Sequence, residues 1–284
     1  MFERISNGFA MARSSWSVIM SDKKLLLFPM VSGILFLIVV ASFFVPLGVL
    51  HDQGKIQFQD NQGNTEMWVY PVVFAFYFCT YFVIIFCNAA LVSCALIRFN
   101  GGTASVGDGF RAAMARLPQI FAWALVSATV GLLLKLIENA PEKVGQIVAS
   151  VLGTAWSIVT YFVVPILVVE KLGPIDAVKR STSIMRKQWG EALVGYVGMG
   201  LFFFLLAIPI ILLFVAAFFV MQSSFALGIT LLVAAGICWL LYMVVSAAMH
   251  TVYIAALYQF ATSDRAPAGF EATTMAHAFG AAKA

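Results

Sequence analysis

The side chains best suited to chemistry are few and scattered. Four cysteines, Cys79, Cys87, Cys94 and Cys238, all sit in apolar stretches, and none forms a C-x-x-C pair. Without a hard ligand beside them they read as small polarizable packing residues, not as metal or redox groups. At about 100° per residue, Cys79, Cys87 and Cys94 share one face of a helix, which makes a seam. Asn88 is the strongly polar side chain placed deepest in an apolar run, where it would hydrogen-bond across helices or line a pathway. Lys135 and Glu138 are three residues apart, close enough to pair on a helix, although snorkelling of their side chains to the interface is the favoured reading. Glu170 ends an apolar run just before a basic segment and is expected to hold it through Lys179 or Arg180. His250 falls toward the end of a long apolar run, beside Tyr253. An intramembrane enzyme needs paired acids, clustered histidines or a serine with its base facing a wet cavity. The acids here are dispersed, so the expectation is no catalysis, no cofactor and no metal.

The elements that carry these residues belong to a membrane. The 284 residues are 62% hydrophobic and 11% charged, against about 25% charged in soluble domains. Mean hydropathy is +0.96. Six runs reach the roughly 20 apolar residues that a span requires: 25–50, 67–97, 118–137, 147–169, 192–221 and 225–260. The first is too long for the core of a cleavable signal peptide and reads as a retained anchor. The last is expected to be one long helix. Pro46, Pro165 and Pro209 are positioned to kink spans one, four and five.

With the N-terminus inside, Lys55, Lys135 and Lys143 are the three of 17 basic residues that fall outside. So lopsided a distribution predicts cytoplasmic N- and C-termini. The net charge of +4 therefore points to a membrane surface, and nucleic acid is not expected as a partner.

Three basic segments between the spans carry apolar residues at helical spacing. Phe2, Ile5, Phe9, Ala12, Trp16 and Ile19 make the first stripe, with Arg4 and Arg13 between. Val106, Phe110, Ala113 and Leu117 make the second, with Arg111 and Arg116. Ile175, Val178, Thr182, Met185 and Trp189 make the third, with Lys179, Arg180, Arg186 and Lys187. Such a helix lies in the membrane interface or packs on the bundle. Ser105 and Pro174 are placed to start the second and third. The chain is thus expected to be an all-α transmembrane domain over 1–262 with a flexible tail over 263–284. It divides into three units of interfacial helix plus hairpin, at 2–97, 104–169 and 174–260.

The segment from Pro165 to Ser181, with Glu170, Gly173, Pro174, Asp176, Lys179 and Arg180, followed by Trp189 and Gly190, resembles a motif of bacterial multipass membrane proteins. Ser15, Trp16, Asp22, Lys23 and Pro29, with Gly107 to Arg111, extend the likeness to one domain-of-unknown-function family along nearly the whole chain. The shorter segment is also similar to the membrane portion of some glycerophosphodiester phosphodiesterases. The resemblance implies about six helices in a bacterial inner membrane and brings no catalytic residues. The expected role is non-enzymatic action on or within the bilayer, by lipid binding or membrane organisation, with lipids, a second copy or another membrane protein as partner. The alternative is a transporter or channel for a hydrophobic or amphiphilic small molecule.

Overall fold

The computed structural model describes residues 2–59, 63, 65–138, 143–187, 189–263 and 265–270. Residues 271–284, most of the expected tail, lie outside them. The regular structure of the described residues is helical; turns and loops connect the helices, with one isolated bridge between Gln59 and Thr65. In order the helices are α1 (Phe2–Ser21), α2 (Leu27–Asp52), α3 (Val69–Phe99), α4 (Val106–Met114), α5 (Leu117–Glu138), α6 (Lys143–Val159), α7 (Val163–Val169), α8 (Pro174–Lys187), α9 (Trp189–Ser223) and α10 (Phe225–Ser263). Six segments are long and apolar enough to cross a membrane: Lys23–Asp52, Val69–Phe99, Leu117–Glu138, Val144–Val169, Gly200–Ser223 and Phe225–Ser263. They coincide with the six expected spans, and α10 runs unbroken for 39 residues, about 58 Å.

The fourth span is two helices. Turn residues 160–162 separate α6 from α7. Pro165 explains the break, because it has no N–H to donate to the carbonyl of Tyr161 and its ring would collide with that carbonyl. Pro46 and Pro209 lie inside α2 and α9, which continue past them.

The residues pack as two compact units. The first comprises 1–29, 94–105 and 184–284. Its core is α1 seated on α9 and α10, the hairpin that closes the described chain, although in sequence α1 groups with the first span. Among the residues of α1 whose burial is described, Gly8, Met11, Ala12, Ser15, Val18 and Ile19 are buried. This face is turned by about one position from the expected stripe, leaving Trp16 42% exposed. Small residues set the turn, because Gly8, Ala12 and Ser15 let helix axes approach where Trp16 would hold them apart. Asp22 then caps the turn Lys23–Leu26 by accepting the Lys24 N–H at 3.2 Å. In this unit the C-terminal segment folds back on the end of α3: Ala268 N–H donates to the Phe99 carbonyl at 3.3 Å, and the rings of Phe99 and Phe270 meet at 5.8 Å.

The second unit comprises 30–93 and 106–183. Within it α5 packs on α6, with Trp123 and Trp156 stacked at 5.6 Å. Phe110 of α4 stacks on Phe86 of α3 at 6.0 Å. In α8, Ala177, Ser181, Ile184 and Met185 are buried while Ile175 is 70% exposed, so the packed face keeps Met185 of the expected stripe and departs from it at the start of the helix.

Candidate functional site

In the first unit, three helices each present one face to a shared groove. Phe9, Arg13 and Trp16 recur at steps of four and three along α1, joined by Ala10. Phe202 and Leu206 are one turn apart on α9, as are Val245 and Met249 on α10. Together they line a space of about 610 Å³. Phe9 meets Phe202 edge to face at 5.5 Å, which anchors α1 to α9. Tyr242 donates its hydroxyl proton to the Phe203 carbonyl at 3.1 Å and ties α10 to α9.

The groove lies near one end of the hairpin. Phe202 is two residues into the apolar segment Gly200–Ser223. Met249 is about 36 Å along α10 from Phe225, beyond a hydrocarbon thickness of roughly 30 Å. Its walls are apolar and aromatic, and its one charged group is the exposed guanidinium of Arg13. No described residue forms an ion pair with Arg13. Chemically, such a groove offers apolar burial plus a flat five-donor fork that matches phosphate geometry. It contains no nucleophile and no general base.

The other sequence-selected residues separate into two kinds. Some are absorbed by structure. Arg180 Nε donates to both Glu170 carboxylate oxygens, at 3.0 and 3.1 Å, whereas Lys179 turns to Asp176 at 3.3 Å. The expected tether from Glu170 therefore forms through Arg180. Arg116 Nε reaches the Val168 carbonyl at 3.3 Å. One further clamp was not legible beforehand: the buried Ser181 hydroxyl accepts the Phe162 N–H at 3.1 Å. That bond satisfies a donor freed by the break in the fourth span, and the three contacts together fasten α7 and α8 to one another and α7 to the end of α4.

Other residues stay in solvent. Arg111 pairs with Asp108 at 3.2 Å on an exposed surface, and Arg186 is exposed. The side chains of Arg4 and Lys187 lie outside the described residues. Asn88 is half-buried in α3 and engaged in interactions there, as is His250 in α10. Lys135 and Glu138 pair at 3.0 Å, as their spacing allows. Cys87 and Cys94 are buried, Cys79 is half-buried and Cys238 is exposed, and none of the four is in a disulfide. The seam is therefore a packing face for its inner two members.

Sequence reasoning placed Phe9, Arg13 and Trp16 on one helix but missed Phe202, Leu206, Val245 and Met249. Nothing distinguishes those four from the neighbouring apolar residues of α9 and α10 until the fold brings α1 against them.

Over residues 67–270 the chain matches the model of a family described as "Family of unknown function (DUF6159)". No curated protein and no solved structure matches the chain.

Proposed function

The chain belongs to that family of unknown function, and from the groove on α1 we propose that it is a non-enzymatic, multipass lipid-binding protein whose occupant is an anionic lipid. The observation that carries this reading is the single cation, Arg13, at the edge of a groove otherwise lined by Phe9, Trp16, Phe202, Leu206, Val245 and Met249. An acyl chain suits the walls, and a phosphate or phosphoglycerol headgroup suits the guanidinium. The height of the groove along α9 and α10 fits the boundary between hydrocarbon and headgroups. Each Lys or Arg near an anionic leaflet contributes about 1 kcal/mol, so a neutral lipid would bind more weakly.

In this reading the N- and C-termini are cytoplasmic and the membrane is a bacterial inner membrane. The basic helices α1, α4 and α8 lie along its inner face, with Arg13, Arg111, Lys179 and Arg186 turned to headgroups. Arg116 and Arg180 hold the protein together instead. The likeness of the 165–181 segment to the membrane portion of some glycerophosphodiester phosphodiesterases fits a module working at a lipid surface.

Native mass spectrometry tests the proposal. The chain is released from nanodiscs holding equal phosphatidylglycerol and phosphatidylcholine, and retained lipid is counted. Phosphatidylglycerol is expected to remain bound in preference, and Arg13→Gln to lower that preference about fivefold, the equivalent of one headgroup charge contact. Equal retention of both lipids, or an unchanged preference in the variant, contradicts the reading.

One observation favours a second reading, a transporter for a hydrophobic or amphiphilic small molecule. The fourth span is discontinuous at 160–162, and broken spans recur at transporter sites. Against it, the donor freed at Phe162 is already taken by Ser181. Lipid movement between leaflets of proteoliposomes, lost when residues 160–162 are rigidified, would favour transport over binding alone.

A further inference from the structure

The second unit contains a polar cleft at the end of the α5–α6 hairpin where its two helices connect, distinct from the groove on α1. Its volume is about 380 Å³. Tyr77 and Tyr81 enter from α3, Lys135 and Glu138 from α5, and Gln146 and Ser150 from α6. The floor is built by a close approach: a Cβ at Gly131 would lie 3.2 Å from the Tyr81 hydroxyl oxygen, so the phenol rests against bare backbone. The Tyr77 and Tyr81 rings lie 6.3 Å apart, and Tyr77 is within electrostatic reach of the Lys135 ammonium.

Two features make this more than a polar rim. First, the cleft cuts into membrane depth. Tyr81 is about 18 Å along α3 from Val69, and Ser150 about 10 Å along α6 from Lys143. Polar groups at such depth are tolerated where they line a wet cavity. Second, the Tyr77 and Tyr81 hydroxyls, the Gln146 amide and the Ser150 hydroxyl form no side-chain hydrogen bond with any described residue. Four side chains with spare donors and acceptors therefore converge beside one cation and one anion.

We propose that this cleft is a binding site for a zwitterion, a group carrying an ammonium and a phosphate or carboxylate a few bonds apart. The charges select it. Lys135 and Glu138 are paired at 3.0 Å with both side chains about half exposed, 47% and 48%, and a pair so solvated is opened at little cost. A zwitterion replaces that one contact with two, its anion on Lys135 and its ammonium on Glu138. The Tyr77 and Tyr81 rings add a face for the ammonium, and the phenols, Gln146 and Ser150 add hydrogen bonds. A simple anion would meet Glu138 as a like charge, and a simple cation would meet Lys135. The same chemistry is offered by a phosphoethanolamine lipid headgroup and by a free zwitterion.

The full-length protein in phosphatidylglycerol nanodiscs separates the sources. One arm titrates short-chain phosphatidylethanolamine, and the other titrates soluble glycerophosphoethanolamine, with ethanolamine and glycerol 3-phosphate as single-charge controls. Saturable binding of either zwitterion, about tenfold tighter than both controls, is expected. Binding of the lipid alone assigns the site to a headgroup, and binding of the soluble compound assigns it to a free solute. Lys135→Gln and Glu138→Gln are each expected to weaken binding about tenfold. Tyr81→Phe, which keeps the ring on Gly131, is the folding-neutral variant and is expected to weaken it severalfold. Failure of both zwitterions to saturate, equal binding of a single-charge control, or unchanged affinity in all three variants overturns the proposal. None of these outcomes depends on Arg13, so the two sites stand or fall separately.

Discussion

Ser181 and Phe162 are both fully buried, and the bond between hydroxyl and backbone N–H spans 19 residues. Ser181→Ala would strand that N–H in an apolar interior, at a cost of about 1–3 kcal/mol. Unfolding in mixed micelles should show the loss, and a change within the usual few tenths for surface substitutions would mean that another acceptor serves Phe162. The Glu170–Arg180 pair should contribute less, because its side chains are 24% and 41% exposed. A double-mutant cycle with Glu170→Gln and Arg180→Gln should give a coupling of at most about 1 kcal/mol. The same cycle with Lys179 in place of Arg180 should give none, since Lys179 faces Asp176. At this scale the short-range pairs were legible. Helical spacing alone allowed the Lys135–Glu138 pair, and Glu170 needed a cation in the second turn of the next helix. Ser181 was not legible, because its partner is created by a chain break 19 residues away.

Gly228 governs how α10 leaves the turn from α9. A Cβ there would lie 2.5 Å from the Met221 backbone, closer than any relaxation of a flexible side chain could relieve. Gly228→Ala should therefore splay the hairpin and cost about 1–3 kcal/mol, read as a lower unfolding midpoint, whereas Gly236→Ala, with open space at its Cβ, should be neutral. An equal response at both glycines would show that the close approach does not hold the hairpin. The elements themselves were readable from apolar run length, including the single long α10, whereas Pro165 pointed to a kink in span four and not to two separate helices. The faces they bury were legible only in part. The expected stripes held Ala12, Ile19 and Met185, which are buried, but also Trp16 and Ile175, which are exposed, whereas Gly8, Ser15, Ala177 and Ser181 are buried outside them. In a bilayer, lipid solvates large apolar side chains, so hydrophobicity marks the inside less sharply and small size adds to the signal.

For the whole molecule, composition alone decided the class, since 62% hydrophobic residues exceed what a soluble globule covers. It also shaped burial: none of the apolar window of the first span is buried, against 56% for α3, the largest share among the six candidate spans of the described residues. The orientation proposed above rests on the distribution of basic residues. Lys55→Cys should react with a membrane-impermeant thiol reagent in intact cells, and Arg265→Cys only after lysis, both positions being exposed. The reverse pattern would invert the topology and carry α1 to the other leaflet. The candidate groove was half legible, through Arg13 and its stripe, and its other walls awaited the docking of α1 on α9 and α10. Trp16 reports directly on that groove, because it lines it and is 42% exposed. The decisive measurement is quenching of Trp16 fluorescence, isolated by difference from Trp16→Phe, with brominated phosphatidylglycerol and brominated phosphatidylcholine. Lipid bound beside Arg13 predicts stronger quenching by the anionic lipid, with the difference removed by Arg13→Gln. Equal quenching by the two lipids in the unsubstituted chain would contradict an anionic occupant.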